Sequence, residues 1–268
     1  MKSPIAIITF ILMAMSCHTV KKSPQDAPSQ MPPMAEGGGN DFIMEKIGRG
    51  VEFYAIGNEP GWSLEMDQEN GLRFMTQDGI VFNTPPVGGV KGQTPAMTRY
   101  HAIVESGELD ITLTEQECTD NMSGEKFPYK VQVRLKRGMD KSFKTYDGCG
   151  KRIFDQRIHD IWALQEMNGK VVTITEGRSE RPYLEFHTND NRVLGKTGCN
   201  DLSGGAEIRG NKIIFDNIAV TQKACQDANY ESAFLKAMAP GMVRYKINAG
   251  RLYLYREGKE VMVFRKVD

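Results

Sequence analysis

Tyr129-Lys130-Val131-Gln132-Val133-Arg134-Leu135 alternates apolar and polar side chains through its centre. A period of two marks a half-buried strand, because successive side chains leave opposite faces of a pleated sheet. Leu109-Asp110-Ile111-Thr112-Leu113-Thr114 repeats the pattern, and so does Trp62-Ser63-Leu64-Glu65-Met66. Residues 51–55, 72–75 and 80–82 read as further strands. Asn70-Gly71 and Asp78-Gly79 stand between such segments as hairpin turns. The pattern predicts an antiparallel sheet with one face of each strand buried. The loop at 84–98, with Pro85, Pro86 and Pro95, reads as an irregular sheet edge.

Beyond about residue 155 the pattern continues but acquires a helix. Residues 161–164, 171–175, 183–186, 192–196, 213–215, 243–247, 251–255 and 261–264 read as strands. A helix is predicted from Tyr230 to about Met238. Asn229 would cap it, Phe234, Leu235 and Met238 form its apolar stripe, and Pro240-Gly241 stops it. The expected class is therefore mainly β with α+β character, as two antiparallel-sheet domains in tandem.

Composition narrows the function classes. Of 268 residues, 25% are charged and 40% hydrophobic, too charged for a multi-span membrane protein and too apolar for a disordered chain. Lys plus Arg and Asp plus Glu number 34 each. Loss of residues 1–16 would remove only Lys2 from that balance. No net basic excess draws the chain to nucleic acid.

The N-terminus reads as an address. Met1-Lys2 precedes an apolar run from Ile5 to Met15, about eleven residues and too short to cross a bilayer as a helix. Ala14-Met15-Ser16-Cys17 then resembles a bacterial lipoprotein signal with its lipobox. That resemblance implies cleavage after residue 16 and lipid on Cys17, with Ala14 where Leu is commoner. His18, rather than Asp, follows the cysteine, which in a Gram-negative cell implies the outer membrane. Several acyl chains together make a firm anchor. Residues 17–43 read as the lipidated cysteine and a Pro/Gly-rich tether, 44–155 as the first domain and 156–268 as the second.

With Cys17 lipidated, Cys118, Cys149, Cys199 and Cys225 remain, and four cysteines allow three pairings. An oxidising compartment permits disulfides. Sequence order and the domain split favour Cys118–Cys149 and Cys199–Cys225, each contributing about 3–4 kcal/mol by chain entropy. A four-cysteine zinc site would need short paired spacings that this chain lacks.

Residues 160–268 resemble a META domain, the domain of the heat-shock protein HslJ. The residues that carry this are Trp162, Leu164, Gly195-Lys196-Thr197-Gly198-Cys199-Asn200, Leu202-Ser203-Gly204, Thr221-Gln222-Lys223-Ala224-Cys225, Glu231 and Phe234. The resemblance implies a strongly curved antiparallel sheet with a packed helix, in envelope lipoproteins linked to stress tolerance and without an established catalytic activity. Residues 51–152 resemble a family of uncharacterised bacterial lipoproteins often joined to such a domain. There the carriers are residues 53–62, Cys118-Thr119-Asp120-Asn121-Met122-Ser123, Phe127-Pro128-Tyr129 and Gly148-Cys149-Gly150. Gly61 and Phe127 depart from that family's usual aromatic and tyrosine.

Few residues argue for chemistry. Glu59 and Asp120 are the best acidic pair for general acid–base work on a glycan, but no spacing brings them together, and Asn58-Glu59-Pro60-Gly61 reads first as a turn before a strand. Trp62 suits either a strand anchor or a stacking platform for sugar or peptide. Asn200, with Thr197, Asp201 and Thr221, lies in the most motif-like turn of the second half, and Gly195–Gly198 lacks a phosphate-cradle pattern. His101, His159 and His187 are isolated in sequence and read as packed or surface residues. Lys130, Arg134 and Lys136 share one strand parity and read first as a solvated face, then as an anionic glycan or lipid site. No cofactor, metal site or catalytic residue is expected. The expected function is a non-enzymatic binding module of the envelope, held to the membrane through Cys17, with an envelope protein or glycan as partner. The alternatives are an inhibitor of a lysozyme or protease, using a disulfide-fixed loop, and a weak glycan hydrolase.

Overall fold

A computed structural model describes residues 39–92, 96–174, 180–223 and 230–267. The signal segment, Cys17, Cys225 and Asn229 lie outside the described residues. Strand is the dominant element, as the period-two segments predict. The first sheet comprises β1 (Phe53–Asn58), β2 (Gly61–Asp67), β3 (Gly71–Thr76), β4 (Val81–Thr84), β5 (Val90–Lys91), β6 (Met97–Val104), β7 (Gly107–Thr119), β8 (Lys126–Arg137) and β9 (Lys144–Arg152). Its spatial order is β4-β3-β2-β1-β9-β8-β7-β6-β5. Two antiparallel meanders thus join where β1 pairs with β9, Ala55 opposite Gly150 and Ile56 opposite Cys149. The curved sheet is a half-barrel whose concave face holds Phe53, Leu64, Phe74, Leu109, Ile111, Val131, Val133 and Tyr146.

The second sheet comprises β10 (Ile161–Met167), β11 (Lys170–Val171), β12 (Tyr183–His187), β13 (Arg192–Lys196), β14 (Asp201–Arg209), β15 (Lys212–Val220), β16 (Gly241–Asn248), β17 (Arg251–Arg256) and β18 (Lys259–Lys266). β18 returns to pair with β10, which closes eight strands into a barrel and leaves β11 as a flap. Trp162, Leu184, Phe186, Phe215, Leu252 and Phe264 fill it, together with Phe234 and Met238 from the helical segment that packs against it. Its helix α2 spans Glu231–Ala237, and Tyr230 precedes it in helical geometry with no side-chain cap bond.

Several local expectations are corrected. Helix α1 (Gly39–Gly48) begins within the stretch read as tether. Its Ile47 joins Val51 and Ile153 in a small cluster, and its Lys46 lies over the rings of Phe42 and Tyr54 while pairing with Glu65. Apolar burial, rather than composition, therefore decides its order. The strand read over 171–175 is only the two-residue β11 among the described residues, because the chain leaves β10 there instead of pairing onward. Gly204 and Gly205 lie inside β14, where a bulge between Ser203 and Gly205 interrupts the register. β6 and β9 have no clear apolar alternation and were not expected as strands. In β9 the inward positions include Gly148 and Gly150, and a Cβ there would collide with Trp62 or Phe53, so small residues replace the apolar signal.

The two sheets lie in one compact unit and meet through a buried cation. Lys212 on β15 is 2% exposed, and its Nζ lies 2.6 Å from Glu52 Oε1, 2.9 Å from Asp67 Oδ1 and 3.2 Å from Glu69 Oε2. Burial works against the ammonium charge, but the hydrogen bonds to Glu52 and Asp67 outweigh it and raise the lysine pKa. Burial likewise opposes ionisation of Asp67, yet its bonds from Asn70, the Glu69 N–H and Lys212 hold its pKa below the usual range. The Gly210 N–H donates to Ile153 O at 2.9 Å, and the Tyr245 hydroxyl donates to Gly210 O at 3.0 Å.

Candidate functional site

The most built polar feature of the first sheet is the loop between β7 and β8. The Cys118–Cys149 disulfide, with Cα atoms 5.6 Å apart, ties the end of β7 to β9. Asp120 is 4% exposed. Its Oδ2 accepts from the Ser123 N–H at 2.8 Å and the Ser123 hydroxyl at 2.6 Å, and its Oδ1 accepts from the Asn58 amide. The Asp120 N–H donates to Glu125 O at 2.8 Å, and the Gly124 N–H returns to Asp120 O at 2.9 Å. Burial raises the carboxyl pKa, but the Ser123 and Asn58 bonds prevail and keep it below the ordinary aspartate value. The loop is therefore preorganised from inside, and it projects Met122, 72% exposed, into solvent.

This geometry separates the expected acidic pair by role. The β1–β2 turn brings Asn58, not Glu59, onto Asp120. Glu59 is exposed beyond it, after a strand end and before a cis Glu59–Pro60 bond. It lines an open depression with Asn58, Pro60, Gly61, Gln77 and Asp78. Asp120, with both oxygens accepting and its acidity strengthened, is poorly suited to hold a proton as a general acid. Trp62 is 1% exposed, packs against Phe74 with ring centroids 5.7 Å apart, and donates its indole N–H to Asp147 O at 3.2 Å. It has no open ring face for a ligand: the pleat that buries Leu64 also turns Trp62 inward, against Gly57 and Gly148.

In the second sheet, Asn200 is a buried hub. Its Nδ2 donates to Glu231 Oε2 at 2.8 Å, and its Oδ1 accepts from the Thr221 hydroxyl at 3.0 Å and the Lys223 N–H at 2.7 Å. Thr197 donates its hydroxyl to the same Glu231 oxygen at 2.8 Å and its N–H to Asn200 O at 2.9 Å. The residues that read as a motif thus join the β13–β14 turn, the end of β15 and the first residue of α2. Glu231 is the member whose role the sequence did not reveal, since a helix-start acid usually serves its own N-terminus. Gly198, at φ +112°, supplies the left-handed position in the turn. Cys199 is disulfide-bonded, and its expected partner Cys225 lies outside the described residues.

The other basic residues and histidines singled out in the sequence lie on exposed or half-exposed faces. Lys130 and Arg134 are exposed on β8 as parity predicts, but acids interleave with them, Asp110 lying 3.7 Å from Arg134. His159 and His187 approach to 6.1 Å between ring centroids. His101 is not isolated: it meets Glu108 and Asp110, which sequence reasoning had not grouped with it. The signal was the β6–β7 hairpin, legible only once β6 is known to be a strand.

Comparison with known proteins bears on one half of the chain. No curated protein matches it. A solved structure described as "NMR structure of the protein" is 20% identical over 40% of this chain and 89% of that chain, at a TM-score of 0.34, too low to support an argument about fold. Residues 156–268 match the family model of the META domain, in agreement with the resemblance carried by Gly195–Asn200, Thr221 and Glu231.

Proposed function

We propose that this protein is a non-enzymatic lipoprotein of the cell envelope, lipid-anchored through Cys17 at the periplasmic face of the outer membrane, and that it acts as a binding module in envelope stress tolerance. The observation that carries the reading is the META match over residues 156–268, a domain type associated with the envelope. The loop at 120–125 supports the binding part. Its conformation is set before any partner arrives, which lowers the ordering cost of association. The partner is an envelope protein or glycan.

A photo-crosslinking residue at Met122 in the full chain, with mass spectrometry of intact envelopes, tests the contact surface. The expected result is one dominant partner, captured under stress and lost on Asp120→Ala. No partner-specific product under either condition overturns it. The anchor is tested by acyl incorporation, expected in the native chain and absent in Cys17→Ser.

A second reading is inhibition of a lysozyme or protease, favoured by the exposed Met122 on a disulfide-held loop. Titration against such enzymes would then show stoichiometric loss of their activity. A glycan hydrolase would have to rely on Glu59 without Asp120, whose oxygens are both engaged.

A further inference from the structure

Three metal-ligating side chains converge on the solvent face of the β6–β7 hairpin. His101 stands directly opposite Asp110, and Ile103 stands opposite Glu108, so Glu108 is the diagonal neighbour of His101. One donor atom from each of His101, Glu108 and Asp110 lies within 4.8 Å of the others. The register is rigid, because Leu109 and Ile111 on the reverse face of β7 are buried in the core. A one-residue slip would expel both.

His101 Nδ1 lies 2.6 Å from Asp110 Oδ1 and 3.8 Å from Glu108 Oε1. Two ligands of a tetrahedral zinc, at about 2.0–2.1 Å from the ion, stand roughly 3.3 Å apart. The observed spacings bracket that value. Small side-chain rotations would open the aspartate and close the glutamate by less than about 1 Å each. Arg134 stacks over the Phe143 ring, 4.4 Å from its centroid, and approaches the other aspartate oxygen, Oδ2, at 3.7 Å. It leaves Oδ1 facing the imidazole.

We propose that His101, Glu108 and Asp110 bind one borderline divalent transition-metal ion, of the zinc or copper class, with water completing the coordination. One imidazole nitrogen and two carboxylate oxygens suit such ions better than calcium or magnesium, which favour all-oxygen sets. On binding, the Nδ1 lone pair bonds the ion and the imidazole carries its one proton on Nε2, a second proton on an imidazolium being released to solvent. Each carboxylate faces a cation across the β7–β8 pair, Asp110 opposite Arg134 and Glu108 opposite Lys136, so the ion binds in competition with those side chains. The site is independent of the binding-module reading.

Zn²⁺ titrated into the full chain by calorimetry tests it, with Cu²⁺ electron paramagnetic resonance as a second readout. One ion per chain is expected, with nitrogen coupling from an imidazole. Affinity should fall at least about tenfold in His101→Ala and in Asp110→Asn, and stay unchanged in His187→Ala. His101 is exposed, and Asp110 and His187 are half-buried outside the apolar cores, so the metal-free variants should melt within a few degrees of the native chain. Absence of one-to-one binding overturns the assignment. Retention of binding in His101→Ala, or its loss in His187→Ala, does so equally, since it moves the ion elsewhere.

Discussion

In the barrel, β18 returns to β10 with Leu164 opposite Phe264, so every strand of the ring has two neighbours. In the half-barrel the ladder stops at β4 and at β5, strands of four and two residues. Closure removes edges outright, whereas an open sheet must keep them short or cover them. The first sheet also has devices that the barrel achieves by closure. A disulfide joins β7 to β9, Lys46 of helix α1 and Arg49 just after it clasp Glu65 of β2, and Lys212 of the barrel enters among Glu52, Asp67 and Glu69. Glu65 is itself buried, which raises its pKa, but the bonds from Arg49 and Lys46 prevail and lower it. The barrel's own polar fastening is neutral at its centre, with Asn200 tying turn, strand and helix. The open sheet thus adds a disulfide between its strands and buried ion pairs, while the closed one adds to ladder continuity a hydrogen-bonded hub beside the disulfide-bonded Cys199.

The sharpest way to break this contrast is Lys212→Met. It leaves Glu52 and Asp67 buried without their cation, and a loss of about 3–5 kcal/mol is expected in urea unfolding of the full chain. Its pH dependence has a definite sign. Asp67 has a lowered pKa in the fold, so its contribution is complete above the unfolded carboxyl value and disappears as pH falls through the folded one. Lys212 has a raised pKa, so its contribution is complete below about 10.4 and is lost as pH rises through the folded value. Lys212→Met should flatten both limbs, and an unaltered profile would refute the pairing.

Removing the Cys118–Cys149 disulfide acts on the open sheet. The double variant Cys118→Ala/Cys149→Ala should cost about 2–4 kcal/mol. Hydrogen exchange should then quicken in β7, β8 and β9 and remain unchanged in the barrel. Asn200→Ala is the mirror experiment. It removes three bonds to Glu231, Thr221 and the Lys223 N–H, and about 1–3 kcal/mol should be lost, with exchange quickening first in α2. The smallest effect belongs to Lys151→Ala, which deletes an exposed pair with Glu125 at 2.7 Å. A change of about 0–1 kcal/mol is expected, because Asp120 already holds the loop from within. A larger loss would shift the anchoring role from Asp120 to the surface.

Legibility followed locality. The segments at 62–66, 109–114 and 129–135 declare their strands by alternation, and the structure places their apolar members in one core. β6 and β9 were silent, because glycine and exposed polar residues interrupt the pattern where a neighbour's bulk, such as Trp62 against Gly148, fills the space. The polar sites divide in the same way. Asp120 and Ser123 lie three residues apart and could be read as a self-bonded turn. Asn58, which completes their arrangement, is 62 positions away from Asp120.

The period-two segments, the turns between them, the lipobox-like start and the set of cysteines are legible along the chain, because each rests on near neighbours. That one sheet closes and the other stays open, that Lys212 finds Glu52 160 positions away, and that His101 meets Asp110 across a hairpin emerge from the folded chain alone. The reason is physical. Alternation tells a side chain which face to take, but which strand lies beside it is set by packing and hydrogen-bond pairing over the whole sheet.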